Sequence, residues 1–120
     1  MITTTVSVEQ TSGAHAVASR ILTINTIQAD LDARRLWVDG VHVPLSRRQF
    51  DLLATLMDNA GRVMSSHDLR MICGAPCGPG EEVLLRAQIK ALRRSLAAHP
   101  RALARLRTVR GFGYVFELRP

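Results

Sequence analysis

Cysteine, aromatic residues and long apolar runs are all scarce in this 120-residue chain. The two cysteines, Cys73 and Cys77, stand C-x-x-x-C around Gly74-Ala75-Pro76. That spacing is neither the redox C-x-x-C nor half of a zinc site, and His67 and His99 supply no supporting ligands. The two thiols are therefore read as incidental, with a redox-sensing pair in a loop as the alternative. No apolar run approaches the roughly 18 residues of a membrane span, and the first residues, Met1-Ile-Thr-Thr-Thr-Val-Ser-Val, lack the basic start and apolar run of a secretory signal. These absences predict a cytoplasmic chain with no membrane partner. His15, His42, His67 and His99 form no triad or ligand set, and Ser46, Ser65 and Ser66 are explained as helix caps. No catalytic constellation, metal site or cofactor motif is legible, so no enzyme is expected.

Acidic residues are scarce in one part of the chain only. Residues 1–82 hold 7 Lys/Arg and 9 Asp/Glu, a net of −2, whereas residues 83–120 hold 9 Lys/Arg and the single Glu117, a net of +8. A surface of one sign concentrated in the last third is the footprint expected where a protein meets phosphates. Nucleic acid leads as partner on charge alone, with an anionic membrane surface or an acidic protein as the alternatives.

The length suits one domain with a single core. Residues 1–20 contain no Leu, carry only Glu9 and Arg20 as charges, and show no sustained period, which reads as a flexible tail preceding a domain over 21–120. Short β-rich runs follow at Ile21–Ile24, Ile27–Leu31, Arg34–Val38 and Val41–Pro44, with Asp39-Gly40 as a tight hairpin turn. Ser46-Arg47-Arg48-Gln49 has the capping-box pattern, and Phe50, Leu53 and Met57 continue it as a helical stripe to about Asn59, with Gly61 placed to end it. A second, short helix is predicted from Ser66 to Cys73, stopped by the Gly/Pro run from Gly74 to Gly80.

Leu85, Ile89, Leu92 and Leu96 mark the buried stripe of a third helix running to about Ala98. At about 100° per residue Arg86, Lys90, Arg93 and Arg94 fall together beside that stripe. One helix therefore carries both a buried and a basic edge. Leu106–Arg110 and Tyr114–Leu118 read as strands joined by Gly111-Phe112-Gly113, with Tyr114 and Phe116 closing the hairpin onto the core and Trp37 packing between sheet and first helix.

The order of four strands, three helices and a terminal hairpin resembles the effector domain of OmpR/PhoB-type transcriptional regulators. The resemblance covers about Leu22 to Leu118 and is most specific at Arg107-Thr108-Val109-Arg110-Gly111-Phe112-Gly113-Tyr114. Val38-Asp39-Gly40, Leu45-Ser46 with Phe50-Asp51-Leu52-Leu53, Asn59-Ala60-Gly61-Arg62-Val63 and Ile89-Lys90-Ala91-Leu92-Arg93-Arg94 support it. It implies an α+β fold, a winged helix-turn-helix with an N-terminal antiparallel sheet, three helices and a C-terminal hairpin wing.

The resemblance also implies sequence-specific binding of double-stranded DNA by a bacterial, nucleoid-associated transcriptional regulator, with the helix over 83–98 in the major groove and the wing over 106–118 at the minor groove. Arg86, Lys90, Arg93 and Arg94 would face DNA from the helix, and Arg107, Thr108 and Arg110 from the wing. RNA polymerase, and a second copy as homodimer or in tandem on DNA, are the further partners it brings in. Val83, Leu84, Arg86 and Ala91 depart from the residues common in that family, so its target sequences do not transfer. The family's usual N-terminal receiver domain has no counterpart in residues 1–20. Two other classes compete: an architectural DNA binder of low specificity, and a winged-helix protein-interaction module docking through Leu84 and the Gly/Pro loop.

Overall fold

The computed structural model describes residues 2–10, 16–72 and 81–119. Cys73, Cys77 and the Gly74–Gly80 run, with the readings attached to them, lie outside the described residues. Five strands come first: β1 (Ile2–Gln10), β2 (Ala16–Ile24), β3 (Ile27–Asp30), β4 (Arg35–Val38) and β5 (Val41–Val43). They form one antiparallel sheet in chain order. Helices α1 (Arg47–Asp58), α2 (Ser66–Ile72), α3 (Glu81–Ser95) and α4 (Pro100–Arg105) follow, with a two-residue strand β6 (Met64–Ser65) before α2. The chain closes on β7 (Leu106–Val109) and β8 (Gly113–Phe116), and the second sheet has the order β6-β8-β7.

Period-two alternation decides which face of the first sheet is buried. Leu22, Ile24, Ile27, Ala29, Leu36, Val38 and Val43 all point to the core, as expected when successive side chains take opposite faces. Asp39 and Gly40 both take positive φ, 53° and 78°, the turn that matches the twist of a two-residue hairpin. Against this face α1 lays Phe50, Leu52, Leu53, Leu56 and Met57. Its start is fixed by the capping box: the Gln49 amide donates to Ser46 Oγ at 3.2 Å, and the Ser46 amide donates to Gln49 Oε1 at 3.0 Å. Gly61, at φ 82°, ends that segment and donates its N–H to the Phe116 carbonyl, joining the end of α1 to β8.

Four features differ from the reading of the sequence. Residues 2–10 and 16–20, read as a tail, are paired antiparallel strands whose register runs from Ile2↔Ile24 to Gln10↔Ala16. A ladder of backbone hydrogen bonds needs no Leu and no apolar period, only a β-tolerant sequence, and Thr, Val and Ser supply that. Trp37 lies on the outer face of the sheet, 5.8 Å from the His42 ring, because its neighbours Leu36 and Val38 take the core side. The third helix ends at Ser95, and the six-residue α4 begins with Pro100, a residue suited to the first helical position. β6 was not legible at all, being only two residues long. Among the described residues no helix is long and apolar enough to cross a membrane.

Candidate nucleic-acid interface

The four-, three- and four-residue spacing of the apolar positions on α3 separates its two jobs cleanly. Leu85, Ile89, Leu92 and Leu96 are each at most 2% exposed, and this stripe anchors the helix. Arg86, Lys90 and Arg94 are left exposed, while Arg93 is half-buried because its guanidinium turns toward the hairpin. There Arg93 Nη2 donates to the Thr108 hydroxyl at 2.7 Å. Helix and wing thus share a direct side-chain bond.

The wing is built on β8, whose four residues are all buried and which sits between β6 and β7. Tyr114 and Phe116 belong to the core, as their spacing predicts. Gly113 is required by close approach: a Cβ there would lie 1.8 Å from the Met64 carbonyl oxygen. The turn is closed by the Phe112 amide donating to the Val109 carbonyl, and Gly111 supplies the positive φ, 78°. On the other side the Phe112 carbonyl accepts from the Ser66 amide at 3.0 Å, which pins the wing tip to the first residue of α2. The Asp68 amide donates to Ser65 Oγ, the N-cap read from the sequence.

Between α2, α3 and the wing runs an open groove of about 590 Å³, lined among others by Ser66, His67, Arg86, Thr108, Arg110 and Phe112. None of its lining residues is acidic. Arg86, Thr108 and Arg110 therefore converge on one groove, with Arg93 tied to its wall. Lys90 and Arg94 stand exposed along the same helix outside the groove lining. Arg107 is differently placed. Its Nη2 lies 2.7 Å from Glu117 Oε1 and its Nε donates to the same oxygen at 2.9 Å, so its charge is matched across the hairpin.

Which side chains of α2 line the groove was not legible in the sequence. Ser66, His67 and Arg70 enter it because β6 pairs with β8 and draws the start of α2 to the wing tip. A two-residue strand leaves no periodic signal from which that pairing could be read.

Residues 40–116 match the family model described as "Transcriptional regulatory protein, C terminal". The chain is 34% identical over 103 residues to the transcriptional regulatory protein PrrA of Mycobacterium tuberculosis, a match covering 84% of this chain and 43% of the relative. It is 31% identical over 104 residues to the virulence transcriptional regulatory protein PhoP of Salmonella typhi, covering 86% of this chain and 46% of that one. The chain thus spans about half the length of the curated relatives it matches. Among solved structures it is similar to the DNA-binding domain of Klebsiella pneumoniae RstA in complex with the RstA box. The TM-score is 0.72 at 26% identity, over 82% of this chain and 98% of that one. The family model spans 77 of the 120 residues, from the β4–β5 turn to β8: the chain belongs to the family of transcriptional regulatory protein C-terminal domains of the OmpR/PhoB type, and its fold is their winged helix-turn-helix.

Proposed function

We propose that this chain binds double-stranded DNA sequence-specifically as the effector part of a transcriptional regulator, with α3 in the major groove and the hairpin over 106–118 at the minor groove. The observation that carries the reading is the convergence of Arg86 from α3 and Arg110 from the wing on one acid-free groove. Two cations on separate elements, a groove apart, suit a duplex whose sugar-phosphate strand passes between them. The names of the relatives and the RstA complex with its box support the same reading.

In this reading Arg86 and Lys90 address base edges, where the major groove distinguishes all four pairs. Arg93, Arg94, Arg107 and Thr108 work on or beside the phosphates, and Arg110 enters the minor groove, where a narrow A·T-rich step deepens the negative potential. Acting by binding and not by catalysis, the protein works at the nucleoid in the cytoplasm. RNA polymerase and a second copy, as homodimer or in tandem on DNA, are the protein partners it meets there.

Competition tests the proposal. Protein bound to genomic fragments from its own host is challenged with a large excess of unrelated duplex, and a retained subset of fragments is the expected result. Equal displacement of every fragment would favour an architectural binder, and no binding at moderate salt a protein-interaction module.

A further inference from the structure

Arg105 is the one buried charged residue among the described residues, at 4% exposure. Its hydrogen bonds leave from Nη1 alone and reach two backbone carbonyls, those of Glu117 at 3.2 Å and of Leu118. Among the described residues it forms no salt bridge, and the Glu117 carboxylate is held by Arg107. A guanidinium taken out of water against carbonyl dipoles only, with no carboxylate, is an expensive arrangement. Nε and Nη2 keep their donor capacity.

Four residues earlier on α4 stands Arg101, exposed and without an ion pair among the described residues. That spacing puts two cations on one helix face, where like charges repel. Arg101 and Arg105 line a crevice of about 220 Å³ between α4 and the β2–β3 turn, completed by Ala102, Asn25, Thr26 and the apolar Ile27 and Val38. No acid lines it, and none of its residues lines the groove between α3 and the wing.

We propose that this crevice is a binding site for a small free oxyanion of the phosphate class, held by the guanidinium forks of Arg101 and Arg105 with the Asn25 amide and Thr26 hydroxyl at its rim. Guanidinium groups match the geometry of phosphate oxygens two at a time. The volume lies below the range that holds organic ligands of ordinary size, which selects an ion over a nucleotide. An anion there neutralises the buried charge of Arg105 and the repulsion along α4 together, and it ties the β2–β3 turn to the helix that leads into the wing. The site stands independently of the DNA reading.

Inorganic phosphate is titrated into the protein against sodium chloride at matched ionic strength, with backbone amide NMR shifts and the thermal midpoint as readouts. The expected result is a saturable response to phosphate centred on residues 25–27 and 101–105, with a midpoint that rises above the chloride control. Arg101→Gln, at an exposed position, should stay folded and weaken phosphate by about tenfold, the loss of one charge-assisted contact. Arg105→Met should abolish the response, and Arg101→Gln decides the matter if that variant does not fold. Identical responses to phosphate and chloride, an unchanged affinity in Arg101→Gln, or shifts centred on Arg86, Lys90 and Arg110 would each overturn the proposal.

Discussion

Arg93 on α3 and Thr108 on β7 are hydrogen-bonded to one another at 2.7 Å. The acceptor is a neutral hydroxyl and not a carboxylate, so the bond sets the direction of the Arg93 side chain without offsetting its charge. The pair ties α3 to the hairpin, the two elements proposed to address the major and minor grooves. Thr108→Val and Arg93→Ala should therefore be non-additive in DNA affinity, with a coupling of about 0.5–3 kcal/mol in a double-mutant cycle. Strict additivity would show that the two residues contact DNA separately and that the bond does not persist in the complex.

Arg86→Ala should relax base preference at one or two positions and cost about 1–3 kcal/mol on the preferred site, with little change on bulk DNA. Lys90→Ala should behave in the same way at a different base pair. Binding to panels of single-base variants reads this out. Uniform weakening across all sequences would place both side chains on phosphates.

Arg110 carries no ion pair among the described residues and sits beside Gly111 at the wing tip. Arg110→Ala should weaken DNA binding by about 1–2 kcal/mol and reduce the slope of log K against log salt by about one, leaving the fold intact. Arg107→Ala should do less, because Glu117 already offsets its charge. Titrations at several salt concentrations, with circular dichroism as the folding control, compare the two. An equal effect of both substitutions would mean that the Arg107–Glu117 pair opens on DNA.

Gly113→Ala should destabilise the domain by more than Gly111→Ala, though both glycines belong to the same turn sequence. A methyl at 113 must displace the Met64 carbonyl that pairs β6 with β8, an overpacking cost of about 1–3 kcal/mol or above. At 111 the space is open and only the positive φ is strained, at roughly 1–2 kcal/mol. Denaturant midpoints rank them. The reverse order would mean that the β6–β8 contact yields easily.

Residues 21–120 should fold without the segment before them. Leu22 and Ile24 are held by pairing with β3 and by the core, and the RstA domain, covered over 98% of its length, matches only 82% of this chain. Deleting residues 1–18 removes β1 and leaves β2 as the sheet edge, so the thermal midpoint should fall by less than about 8 °C, or about 1–2 kcal/mol for a domain of this size. A larger fall would make β1 part of the folding unit.

What was legible in the sequence was whatever repeats along the chain or has a fixed local chemistry. The Ser46/Gln49 capping box, the Asp39-Gly40 turn and the Leu85-to-Leu96 stripe each announce themselves within a dozen residues, and each stands where it was expected. Basic residues on α3 could be assigned to one side of the helix for the same reason. Contacts between distant segments were not legible: Arg93 finding Thr108, Arg107 finding Glu117, and Ser66 meeting Phe112 all depend on how elements pack. Arg105 shows the limit most plainly. One of the nine cations that make residues 83–120 basic, it is buried in the fold.

Selection from a random duplex pool tests the central claim most directly. Incubated with the protein at physiological salt and carried through several rounds of recovery, the pool should converge on one motif. In that motif, information at major-groove positions should be lost when Arg86→Ala replaces the wild-type chain. A pool that shows no enrichment, or enriches only for A·T content with no motif, would contradict sequence-specific recognition by α3.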